Sequence, residues 1–126
     1  MVGIVIVSHS RKLAESVAEF TAVMAAGAKV AAAGGLEDGG FGTNFDKIYK
    51  AVDSVYSEDG VIILMDMGSA VMTAEMVVEA YGSDKVQMAD CPIVEGAVAA
   101  TIYAAGGMTR KEIMDSLSTV KDTKKF

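Results

Sequence analysis

Four short, almost uninterrupted apolar runs, "VGIVIV", "KVAAAG", "GVIILMD" and "KVQMAD", punctuate the chain, with helix-period segments between them. A strand with one wet face alternates apolar and polar residues, whereas a strand covered by helices on both faces stays apolar throughout. Each junction carries Gly, Ser, Thr or Asn, the residues that end strands and cap helices. Segments 10–26, 44–57, 69–81 and 93–106 repeat apolar residues at helical spacing, and a last helix begins at Thr109, three residues before Glu112 in capping-box spacing. The predicted inward stripes are Leu13, Val17, Phe20 and Met24; Phe45, Ile48, Val52 and Val55; Met72, Met76 and Ala80; Val94, Val98, Ile102 and Ala105; and Ile113, Leu117 and Val120. The β-α-β-α-β-α-β-α-α order predicts an α/β three-layer sandwich, a mostly parallel sheet of four to five strands with helices on both faces.

At 126 residues the chain is the size of one domain, and residues 1–126 are expected to form a single one with its own core. Apolar residues make up 52%, enough to require a check for membrane spans. Lys29, Asp66 and Glu95 break the longest apolar runs well short of spanning length. The N-terminal "MVGIVIV" lacks a basic flank and a cleavage site and reads as the first strand, so a cytoplasmic protein is expected. A net charge of −6 argues against nucleic acid or an anionic membrane surface as partner. The single cysteine, Cys91, cannot form an internal disulfide, and no second histidine stands ready to activate it, so a packing role is expected.

In a parallel sheet the loops leaving the strands' C-terminal ends gather along one edge, where ligands are usually held. That edge collects "SHS", "GGLEDGGFGTN", "DMGSA" and "DCPIVEG", three of which run straight into helix N-termini that favour an anion, above all a phosphate. His9, the only histidine, and Asp66 are its sharpest pair: a carboxylate holding one ring N–H fixes the tautomer and leaves the other nitrogen's lone pair free to attack. Ser10, Gly68 and Ser69 stand where they would support a phosphoryl group on His9, and no cofactor or metal ligand set is indicated. Two plainer readings remain open from local sequence: His9 as a capping or merely solvated residue, and Asp66 as the cap of the next helix. The glycine-rich loop fits neither nucleotide fingerprint and reads as a rim, with Thr43 or Asn44 capping the helix after it. Met67 and Phe41 could form an apolar collar for a docking protein, and Glu95 reads as a first-turn dipole partner.

"VSHS", "AAGG" with a later "GT", "GVIILMDMGSAVMTAEM" and "PIVEGAVAA" together resemble the phosphotransferase subunits of phosphoenolpyruvate-dependent dihydroxyacetone kinases, relatives of the mannose-family enzymes IIA of the sugar phosphotransferase system. The resemblance runs from residue 2 to about 117, resting most specifically on "LMDMGSA" and "PIVEGA". It implies a homodimeric phosphoryl carrier in which His9 accepts the group from the phosphocarrier protein HPr and Asp66 orients it. The group would then pass to ADP on the nucleotide-binding subunit of the kinase. A free-standing HPr is expected, because this chain carries no HPr-like segment. The alternatives are a mannose-type enzyme IIA donating to enzyme IIB, a non-catalytic ligand-binding or regulatory module, and a purely structural dimerisation domain.

Overall fold

The computed structural model describes residues 1–126. Its elements are β1 (Gly3–Ser8), α1 (Arg11–Met24), β2 (Val30–Gly34), α2 (Phe45–Val55), β3 (Val61–Met65), α3 (Ser69–Tyr81), β4 (Val86–Met88), α4 (Ile93–Ala105) and α5 (Arg110–Leu117), followed by a 3₁₀ turn at Val120–Asp122. The four strands form one sheet in the order β2-β1-β3-β4, parallel at every pairing. The predicted sandwich is therefore observed, with four strands.

Alternate residues of the buried central strands serve opposite layers, as the two-residue period of a strand requires. Val5, Val7, Ile63 and Met65 join the core beneath α2 and α3. Ile4, Ile6, Ile62 and Leu64 join the core beneath α1, α4 and α5. Neither face is left to water, which is why these strands show no polar alternation.

The helices α2 and α5 bury most of the residues their spacing predicts, Ile48, Val52 and Val55 on one and Ile113 and Leu117 on the other; Phe45 is half-buried, and Val120 falls beyond α5 in the 3₁₀ turn, half-buried as well. The other three are rotated from expectation. Helix α1 buries Ala14, Val17 and Thr21 while Leu13, Phe20 and Met24 are exposed. Helix α3 buries Ala70, Ala74 and Val77 and exposes Met72 and Met76. Helix α4 buries Gly96, Ala97, Ala100, Thr101 and Ala104 and exposes Val94 and Ile102. The cause is volume. The strands already fill the interlayer space with Ile, Val, Leu and Met, so a helix approaching closely must present small side chains at native packing density. Gly34 shows the same crowding: a Cβ there would lie 2.5 Å from the Ser10 carbonyl oxygen and 2.8 Å from the Ala14 Cβ.

Ala100→Leu should therefore destabilise the fold by about 1–3 kcal/mol through overpacking, while Met76→Ala should stay within about 0.5 kcal/mol of the parent. Chemical denaturation of the two variants checks this, and the reverse ranking would contradict the rotated helix faces.

Candidate active site

The pairing of β1 with β3 sets Val7 beside Met65, so both strands end together and Ser8, His9 and Asp66 meet just beyond. Four donors converge on the Asp66 carboxylate. Its Oδ2 accepts from the Ser8 hydroxyl at 2.8 Å and the His9 backbone N–H at 3.0 Å. Its Oδ1 accepts from the Met67 backbone N–H at 2.7 Å and faces His9 Nδ1 at 2.9 Å. Burial pulls this carboxyl upward, but the bonds from the His9 N–H, the Ser8 hydroxyl, the Met67 N–H and the His9 ring prevail and hold it below the ordinary carboxylate value. Asp66 is thus an ionised acceptor, and the proton between it and Nδ1 belongs to the ring.

In the neutral ring His9 Nε2 then carries the lone pair, and the Ser69 hydroxyl, 2.8 Å away, donates to it. The ring is about a third exposed, with 30% of its side chain reaching solvent. Around it the helix ends are electropositive: neither α1 nor α3 has an acidic residue in its first turn. Gly68 caps α3 with φ +54°, a left-handed conformation suited to glycine, and no side chain occupies the cap. No backbone bond engages the N–H groups of Gly68 or Ser69, so both remain free to meet an anion.

The two plainer readings of the pair do not describe this geometry. Asp66 does not cap α3, and His9 caps no helix; Ser10 caps α1 by accepting the Leu13 N–H at 3.2 Å. Ser10 therefore stands at the site with its oxygen engaged in capping. Thr43 and Asn44 divide their roles: Asn44 caps α2, and the Thr43 hydroxyl turns to the site. Sequence reasoning passed over Ser8, which is buried, donates to Asp66 and accepts from the Ser10 N–H at 3.0 Å. The signal was a hydroxyl closing an apolar strand, which must find partners once buried.

Other features lie apart from this chemistry. Burial, with the Asp90 charge adding to it, pushes the half-buried Cys91 thiol up to about 11, which fits packing and not nucleophilic use. Glu95 bonds its own backbone N–H and pairs with Lys125 at 3.2 Å, on the surface. A cavity of about 350 Å³ opens beside Asp66 between the ends of β3 and β4, floored by Met65, Met88 and Ala89. Phe41, Met67, Met72 and Met76 are all exposed, the first by 83%, on the elements that carry the site. No three His, Cys, Asp or Glu side chains are gathered so as to hold a metal ion, and no helix is long and apolar enough to cross a membrane.

A parallel α/β sandwich that holds one histidine by a carboxylate at the sheet's carboxyl edge, beside a row of hydroxyls at the start of α3, is the architecture these residues build. The chain belongs to the mannose-type enzyme IIA family, EIIA-man, whose family model, described as the PTS system fructose IIA component, matches residues 3–116. Among curated relatives it is 39% identical, over 96% of its length, to the phosphoryl donor subunit DhaM of the PEP-dependent dihydroxyacetone kinase of Escherichia coli K12, and it spans 27% of that protein. It is 33% identical to the phosphotransferase subunit DhaM of the PTS-dependent dihydroxyacetone kinase of Lactococcus lactis, covering 91% of this chain and 92% of that one. A crystal structure of a protein of unknown function superposes with a TM-score of 0.85 at 25% identity, covering 99% of this chain and 98% of the other. A sigma-54 interaction domain protein from Enterococcus faecalis, at TM-score 0.71, 17% identity and coverage of 93% and 87%, shares the fold.

Because the folded Asp66 carboxyl titrates below its ordinary value of 3.8, its stabilisation is fully present above about pH 3.8 and is lost as pH falls through the lower folded value. Thermal unfolding followed from pH 7 to pH 3 should show Asp66→Asn starting less stable than the parent and losing less on acidification. An equal acid loss in both proteins would contradict the assignment.

Proposed function

We propose that this chain is a phosphoryl carrier that accepts the group on His9 Nε2 and passes it to ADP on the nucleotide-binding subunit of a dihydroxyacetone kinase. The observation that carries this reading is the paired hold on the imidazole: Nδ1 against Asp66 at 2.9 Å, Nε2 toward Ser69 at the start of α3. The names of the relatives supply the substrate class.

In the accepting step the Nε2 lone pair bonds to phosphorus as the donor's N–P bond breaks, and that electron pair returns to the donor nitrogen. No proton needs to leave the ring. Nδ1 keeps its hydrogen, the imidazole becomes cationic, and the Asp66 carboxylate balances the charge. Phosphoryl transfer of this kind has a loose transition state, so positioning and charge stabilisation are the main demands on the protein. Ser69 and the Gly68 and Ser69 N–H groups would face the phosphoryl oxygens, and the N-terminus of α1, which Ser10 caps, begins two residues after His9. Delivery to ADP reverses the polarity: a phosphate oxygen of ADP attacks, and the N–P pair returns to Nε2.

The donor in this reading is HPr, and the exposed Phe41, Met67, Met72 and Met76 give an adaptable apolar surface on which a partner would seat. The protein would be cytoplasmic and homodimeric; exposed Leu13, Phe20 and Met24 on α1 and Val94 and Ile102 on α4 support a subunit contact. A second reading, a sugar-type enzyme IIA donating to enzyme IIB, is favoured by the family description, which names a fructose component.

Incubation with phosphoenolpyruvate, enzyme I and HPr should add one acid-labile, alkali-stable phosphoryl group, seen by intact mass and absent from His9→Ala. An unmodified parent, or the same modification in His9→Ala, would overturn the proposal. Offering the phosphorylated protein ADP-loaded nucleotide subunit or enzyme IIB separates the two readings.

A further inference from the structure

We propose that Thr43 and Thr73 are positioning residues of this site, aligning the Ser69 hydroxyl on His9 Nε2. The inference rests on His9 being the phosphoryl acceptor but concerns groups that reading does not use. Ser69 and Thr73 stand one turn apart on the same side of α3. Thr43, at the end of the glycine-rich loop, lies across from both, its Oγ1 3.4 Å from Ser69 Oγ and 3.0 Å from Thr73 Oγ1.

Proton accounting gives the string a direction. In the neutral ring, the form that can accept a phosphoryl group, Asp66 takes the Nδ1 hydrogen, so Nε2 is an acceptor and Ser69 spends its only hydrogen there. Ser69 can then only accept from Thr43, and Thr43, having donated, can only accept from Thr73. Every hydroxyl hydrogen in the row points toward Nε2. Without Thr43, the Ser69 hydroxyl would rotate among competing acceptors, water included. With it, the hydrogen is already aimed at the place where phosphoryl oxygens would arrive, and Ser69 need only turn from the nitrogen lone pair to an adjacent oxygen.

The loop is anchored where such a role demands it. The Gly42 N–H donates to the His9 carbonyl at 2.9 Å, tying the residue before Thr43 to the catalytic strand end. The Lys47 ammonium grips the loop's other end through the carbonyls of Gly34 at 3.2 Å and Leu36 at 3.1 Å. Helix capping does not require Thr43, because Asn44 performs it.

The test is a double-mutant cycle on phosphoryl uptake from the same donor mixture. Thr43→Val should slow uptake about fivefold, the worth of one modest hydrogen bond, without changing the KM for the donor, and Thr43→Ser should restore the rate. In a Ser69→Ala background Thr43→Val should have no further effect, because Thr43 acts through Ser69. Thr73→Val should fall in the same direction. A Thr43→Val effect that persists undiminished without Ser69, or the absence of any effect, would overturn the proposal. A second readout does not depend on phosphorylation: in ¹⁵N-histidine-labelled protein the Nε2 resonance should move in Thr43→Val and return in Thr43→Ser. A protein that takes up no phosphoryl group yet shows that shift would sink the carrier reading and leave the alignment standing; an unmoved resonance would sink the alignment.

Discussion

Asp66 receives its four hydrogen bonds at the point where β1 and β3 terminate together, and the geometry of the site follows from that convergence. Two of the donors are backbone N–H groups, so the carboxylate is fixed by the register of the strands and not only by side chains that could swing away. An ionised carboxylate with its lone pairs so occupied is a poor base and a firm acceptor. It therefore fixes the tautomer of the neutral imidazole, and the tautomer fixes which nitrogen carries the lone pair. Ser8 extends the same control backward, because its buried hydroxyl joins Asp66 to the N–H of the α1 cap.

The interior supports this edge by being filled from the strands. Large aliphatic side chains on β1 and β3 leave little room, and the helices that lie closest answer with Ala, Gly, Thr and Val. The displaced large residues end on the surface, where Met72 and Met76 flank the site on α3 and Leu13 and Phe20 lie along α1. Close packing inside and apolar surface outside are thus two results of one volume constraint. It leaves exposed apolar side chains near the histidine and along the outer helices.

Much of this was legible in the chain. Runs such as "GIVIVS" announced doubly covered strands, and the placement of His9, Asp66 and Ser69 after two of them followed from the edge rule for parallel sheets. The inward faces of α1, α3 and α4 are not legible, because periodicity reports hydrophobicity while a tight layer selects by size; "SAVMTAEM" carries both an alanine stripe and a methionine stripe, and the alanines face inward. Thr43 was hidden by adjacency. "TN" before α2 offers two capping residues for one cap, so one hydroxyl had to be free for something else, but only the folded loop brings it to Ser69.

In the proposed carrier Asp66 holds Nδ1 so that Nε2 is the reactive nitrogen of His9. Phosphorylating ¹⁵N-histidine-labelled protein and reading the phosphorus–nitrogen coupling by NMR tests it most directly. The expected spectrum is that of a single histidine phosphorylated at Nε2 with a proton retained on Nδ1; a phosphoryl group on Nδ1 would contradict the account, since it would require the Asp66 bond to be broken.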